Sequence, residues 1–237
     1  MQLGVIEVPT LKELFIQKIE EQILSGKLKV GDSLPSERAL QEETHISKTV
    51  IHAALVELEQ KGFIEILPRK GTVVANYEET GTMATLRAQT VHNGGYMTAK
   101  QTRNFLDARI AIEGAALKLL AAKATEADIA ALEEKLAVAE ALAAEENPDI
   151  DLLAGALFDY HRCICLKSGN EFFPLLYNEF KPIIMAFWTR SIQTFGIPAN
   201  IGLSRRYLDD IRGRNPEGAY NRLIKSVNEY LSCCCEQ

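Results

Sequence analysis

Apolar residues at Leu11, Leu14, Phe15, Ile19 and Ile23 recur at the three- and four-residue spacing of one helical face. Thr10 with Glu13 makes a capping box and Gly26 supplies an end, so the pattern predicts a helix over 10–25. Val30-Gly31-Asp32 is a turn. Pro35 cannot extend a preceding helix and Ser36 is a good N-cap, which opens a short second helix ending near Thr44. Ser47 caps a third that runs to about Lys61, where Gly62 stops it. The period then changes: Phe63 to Leu67 and Thr72 to Ala75 are strand-like and joined by Pro68-Arg69-Lys70-Gly71, a two-stranded hairpin.

Residues 78–96 hold Gly81, Gly94, Gly95 and several threonines but no long apolar face, and so predict a linker with room for one helical turn. From Thr98 on, helix caps recur: Thr98 with Gln101, Thr125 with Asp128, and Asn215 before Pro216. Fifteen alanines among the 37 residues from Ala108 to Ala144 favour helix strongly. The spacing predicts six helices, over 99–123, 126–145, 149–168, 171–195, 203–214 and 216–234, with a kink at Pro182. The expected architecture is mostly α. A winged helix-turn-helix with a small two-stranded β wing occupies 1–77, a linker 78–96, and an antiparallel bundle of about six helices 97–237.

The third helix carries the functional signal. Ile51, Ala54, Leu55 and Leu58 share its core side with Val50, whereas Lys48, Thr49, His52 and Ala53 lie opposite. Such a helix offers its N-terminal polar residues to a DNA major groove and its N-terminus to a phosphate. The charge of −6 and pI near 5.4 argue the other way. By region, residues 1–77 carry 9 Lys and Arg against 11 Asp and Glu, so the domain is not basic. No acid falls between residues 44 and 56 or between 66 and 77, however, and those windows hold Lys48, His52, Arg69 and Lys70. The expectation is an acid-free contact surface on an acidic domain. Composition, at 47% hydrophobic and 24% charged, excludes a disordered chain or a fibre. No run of about 18 apolar residues marks a membrane span. The N-terminus has no export-signal pattern, and the five cysteines, three consecutive at Cys233, Cys234 and Cys235, are not a disulfide framework. A cytoplasmic location is expected.

The series Leu34-Pro35-Ser36-Glu37-Arg38-Ala39-Leu40, Ile46-Ser47-Lys48-Thr49-Val50, Lys61-Gly62-Phe63-Ile64 and Lys70-Gly71-Thr72 resembles the GntR family of bacterial transcription regulators. Arg109-x-x-x-Glu113, the run Phe158-Asp159-Tyr160-His161-Arg162 and Ser168-Gly169-Asn170 resemble the effector domain of its FadR-type branch. The resemblance implies a homodimer that binds a double-stranded DNA operator and responds to a small-molecule effector of carboxylate or acyl type. It places Arg38, Lys48, Thr49, Lys70 and Gly71 at DNA, and Ser47, His52 and Arg69 beside them complete the candidate set; the alternative is that these are solvated surface. The family usually has Arg where Lys48 and His52 stand, so a different operator is expected.

The same resemblance places Arg109 at the effector; His161, Trp188 and Tyr207 are further candidate effector residues, with Arg190 beside them. Arg109 holding a carboxylate competes with a simple i,i+4 ion pair to Glu113. Many relatives hold a divalent metal with one Asp and three His. Here only Asp107 and His161 remain, with Ser204 and Ser226 near the other two positions, so no metal and no cofactor are expected. His161 is then a pocket or core histidine. The lost ligands move the chain toward the metal-free, acyl-binding end of the branch. Cys163 and Cys165 point apart on their helix; the C-terminal cysteines are a frayed tail or a redox switch. Two rival readings are a binding module with weakened DNA recognition and a small hydrolase using Asp107, Glu113 and His161. The second lacks a nucleophile elbow, a phosphate loop or a metal set.

Overall fold

A computed structural model describes residues 8–94 and 97–234, which fall into two units divided between Tyr96 and Met97. In the first unit, α1 (Leu11–Leu24) opens with the Thr10 capping box: Thr10 N–H donates to Glu13 at 2.7 Å and Glu13 N–H to Thr10 Oγ1 at 3.2 Å. Ser36 caps α2 (Glu37–Thr44), which ends on His45 in the left-handed region, φ 57°. Ser47 caps α3 (Lys48–Gln60). Strands β1 (Ile64–Leu67) and β2 (Gly71–Val74) pair antiparallel from Ile64↔Val74 to Leu67↔Gly71. The turn between them needs positive φ at Arg69 (64°) and Gly71 (97°). Ser33 bridges Val73 on the sheet edge. Phe15, Ile19, Leu40, Ile51, Leu55, Leu58, Phe63 and Val74 are buried together, each such burial contributing roughly 1.5–3 kcal/mol.

The segment expected to be a linker is folded. Residues Tyr77–Thr80 form α4 and Met83–His92 form α5, and both belong to the first unit. Thr80 Oγ1 donates to the Gly62 carbonyl at 2.9 Å, and buried Thr85 donates its hydroxyl to the Lys61 carbonyl. These hydroxyls satisfy carbonyls left open where α3 ends. A helix held by hydroxyl-to-carbonyl bonds needs no apolar stripe, which is why its sequence resembles a loop. Gly95 lies outside the described residues.

The second unit is helical, with α6 (Ala99–Arg109), a π-helical turn (Ile110–Gly114), α7 (Ala115–Lys123), α8 (Glu126–Ala143) and α9 (Ile150–Lys167). It continues with α10 (Phe172–Glu179), α11 (Lys181–Phe195), α12 (Ile197–Arg212) and α13 (Pro216–Cys234). Thr98, Thr125 and Asn215 cap as expected. The helix predicted over 171–195 breaks at Phe180, and Pro182 stands in the first turn of α11, where a missing N–H costs nothing. The helix predicted from 203 begins at Ile197, launched by Gly196 (φ 81°) and Pro198. Gly114 lets α13 approach: a Cβ there would sit 2.8 Å from the Tyr220 ring. Among the described residues, no helix is long and apolar enough to cross a membrane. Cys163 and Cys165 are buried, and Cys233 and Cys234 are free thiols near the end of α13. Cys235 lies outside the described residues.

Candidate functional site

Side chains with interaction chemistry gather in two places, one in each unit. In the first unit, Lys48, Thr49, His52 and Ala53 are exposed, while Ile51, Ala54, Leu55 and Leu58 are buried. Arg69, Lys70 and Gly71 are exposed at the hairpin tip. Arg38 stands off α2 with Nε donating to Glu42 at 3.0 Å, and Ser47 Oγ accepts from Val50 N–H. The expected acid-free surface is corrected by the fold. Glu37, at the first turn of α2, places Oε1 2.8 Å from His52 Nδ1 and Oε2 3.9 Å from Lys48 Nζ. Counting along the chain missed it because α2 packs on α3 and carries an acid in from 15 residues away.

In the second unit, Arg109, His161, Trp188 and Tyr207, drawn from four elements, come together. Glu113, on the π turn, joins them. Arg109 Nε donates to Glu113 Oε2 at 2.7 Å, and His161 Nδ1 is hydrogen-bonded to Glu113 Oε1. The imidazole lies 4.7 Å from the Trp188 ring and meets Tyr207 edge-on at 5.8 Å. The Arg109 guanidinium stands 4.9 Å from the centroid of Phe187 and 5.0 Å from that of Trp188, within cation–π range. Tyr207 Oη reaches Ser226 Oγ at 3.5 Å.

Burial and charge decide how this cluster is protonated. Desolvation opposes the Glu113 charge, but Arg109 and then His161 more than offset it and hold the carboxyl down at about 2. Burial pushes the His161 imidazole below its ordinary value, against the pull of Glu113. Arg109 is disfavoured by burial yet held charged by Glu113. Above that lowered value the ring is neutral, with Nδ1–H donating to the carboxylate and Nε2 bare.

Three buried polar atoms here have no hydrogen-bond partner among the described residues, Arg109 Nη2, His161 Nε2 and Trp188 Nε1. Arg109 also lines a cavity of about 100 Å³, bordered by Trp188, Ser191, Asn200, Ser226 and Tyr230. That volume holds several waters or the skeleton of a small organic acid. Arg190, half-buried, does not line it. Residue spacing alone missed the joining role of Glu113. It also missed the π turn, a distortion that commonly marks functional positions in helices.

The residues do not fit a metal of the kind many relatives hold. Asp107 is exposed and His161 fully buried, with Nδ1 committed to Glu113. Ser204 and Ser226 stand near the remaining positions, and hydroxyls are poor ligands for such an ion. Among the described residues, no group of three or more His, Cys, Asp or Glu could hold one.

Comparison with known proteins gives matches to both units. Residues 11–74 match the family described as bacterial regulatory proteins, gntR family, and residues 104–228 match the FCD domain. The Glc operon transcriptional activator of Escherichia coli K12 is 32% identical over 166 residues, covering 67% of this chain and 61% of the activator. The HTH-type transcriptional regulator LutR of Bacillus subtilis is 26% identical over 199 residues, 84% of this chain and 87% of that one. A solved structure of Lar, described as controlling the Listeria monocytogenes agr system, shares the fold. Its TM-score is 0.63 at 15% identity, over 96% of this chain and 97% of that one.

Proposed function

Because this chain belongs to the GntR family of bacterial regulatory proteins and carries an FCD domain, we propose that it is a DNA-binding transcription regulator whose operator affinity is set by a small carboxylate held at Arg109. One observation carries the effector class. Arg109 spends Nε on Glu113 and keeps Nη2 unpartnered, on a side chain that borders a cavity. A buried donor without a partner costs about 1–3 kcal/mol, and a carboxylate oxygen removes that cost while forming a charge-assisted bond. The cavity's size favours a compact acid over a long acyl chain. The names of the two relatives, an activator and a regulator, support the regulatory reading.

DNA contact is assigned to the exposed face of α3, capped by Ser47, together with Arg38 and the wing tip at Arg69, Lys70 and Gly71. A homodimer reading two half-sites suits a helix-turn-helix unit that covers one. The cytoplasm suits a protein whose partner is DNA. Glu113 and His161 have the form of an oriented base, yet no hydroxyl or thiol is hydrogen-bonded to His161 Nε2 among the described residues. No enzymatic role is proposed.

The test is fluorescence anisotropy on duplexes selected from a random library, with a panel of two- to six-carbon carboxylates added. One of them should change operator affinity. Arg109→Lys, which keeps the charge but loses the fork, should weaken that response about tenfold or more while leaving DNA binding alone. Failure of the folded chain to retain any duplex at low salt removes the regulatory reading. An unchanged response in Arg109→Lys removes the site.

A further inference from the structure

We infer that His52, with its tautomer fixed by Glu37, is a base-reading residue that selects an amino base, adenine or cytosine, over a keto base at one position of each half-site. The inference rests on the assignment of α3 to DNA and goes beyond it by naming what one side chain reads.

The geometry supplies the direction. Glu37 is less than one-third exposed and approaches His52 from α2, whereas the His52 side chain is 62% exposed. Lys48 stands by the other Glu37 oxygen, 3.9 Å away. A carboxylate only accepts hydrogen bonds, so at 2.8 Å the proton between the pair belongs to His52 Nδ1. In the neutral ring, Nε2 is then a lone-pair acceptor with no proton to offer. Because Nδ1 is tied back to α2, Nε2 is the ring nitrogen left for a partner outside the protein.

The major groove turns that acceptor into a choice. Adenine N6 and cytosine N4 are donors there, whereas guanine O6 and N7 and thymine O4 are acceptors. Lys48, a donor only, asks for the opposite class one turn earlier on the same helix. Neighbouring positions on α3 therefore read opposite base classes, and the second reading exists only while Glu37 holds the tautomer.

The experiment is selection of operators from a random duplex library by the full chain at pH 7.5. Wild type, His52→Ala, His52→Arg and Glu37→Gln are compared, and affinities are then measured on duplexes differing at single positions. Wild type should prefer adenine or cytosine at one half-site position by roughly fivefold to tenfold, the size of one buried hydrogen bond. His52→Ala should lose that preference, and His52→Arg should convert it to guanine. In Glu37→Gln the amide can donate to Nδ1 and leave a proton on Nε2, so the amino preference should vanish or reverse. Matched thermal transitions among the variants separate these outcomes from misfolding. A preference shared by wild type and His52→Ala at every position overturns the inference, as does a guanine preference that His52→Ala abolishes. An amino preference unchanged in Glu37→Gln overturns the role given to Glu37. If wild type enriches no duplex, the DNA assignment itself fails and takes this one with it.

Discussion

The two units carry the same chemical trio, a carboxylate, an imidazole and a cation, in opposite surroundings. Glu37, His52 and Lys48 form one at the surface of the first unit. Glu113, His161 and Arg109 form the other inside the second, where each side chain is 6% exposed or less. At the surface, solvent screens the contacts over about 8 Å at physiological salt, and any one of them can be exchanged for a contact to another molecule. Inside, a broken contact leaves a buried charge uncompensated, so the trio stands or falls together. Exposure, rather than residue type, makes one set exchangeable and the other part of the core.

The sharpest way to break this contrast is to remove one partner from each trio. Arg109→Met leaves Glu113 buried with its main counter-charge gone, and should cost about 3–5 kcal/mol in urea unfolding. Removing both charges, as Arg109→Met with Glu113→Leu, should cost much less than the sum of the singles, and an additive pair would show that the ions do not act together.

Acid provides the next test. Glu113 is held at about 2 against an ordinary 4.5, so its contribution is complete above 4.5 and is lost as pH falls toward 2. His161 is depressed below 6.5, so the unfolded chain takes up its proton first and stability begins to fall below that pH. Thermal unfolding of the helical unit should therefore drop in two stages on acidification. His161→Gln should remove the earlier one, and an unchanged upper stage in that variant would contradict the assignment.

A smaller effect is expected at the π turn beside Glu113. Gly114→Ala presses a methyl against Tyr220 and should cost about 1–3 kcal/mol by overpacking, read as a lower urea midpoint. Smallest of all is Glu37→Gln, which should change stability by no more than about 0.5 kcal/mol, the scale of an exposed ion pair. A cost near that of the buried trio would erase the distinction between the two.

Much of the fold is legible in the sequence because capping is local chemistry. Thr10 with Glu13, Ser36, Ser47, Thr98 with Gln101 and Thr125 with Asp128 each start a helix where a side-chain oxygen lies within four residues of an open N–H. What escaped is held across distance. Helix α5 is anchored by Thr85 to a carbonyl 24 residues earlier, and Glu37 meets His52 only after α2 folds onto α3. At the buried site, the i,i+4 spacing exposes the Arg109–Glu113 pair. Nothing in spacing says that His161, 48 residues on, will close on the same carboxylate.

The buried trio as it stands is electrically balanced: one guanidinium, one carboxylate, one neutral ring. An incoming anion upsets that balance in a place where unbalanced charge is costly. His161, bonded to the same carboxylate and with Nε2 unpartnered, would restore it by accepting a proton as the proposed acid arrives. On the proposed function, metabolite and proton would bind as a linked pair, and the heat of binding should vary with the ionisation enthalpy of the buffer. Such a receptor measures a product of two concentrations, so its response to a fixed amount of effector would strengthen as its surroundings turn acidic.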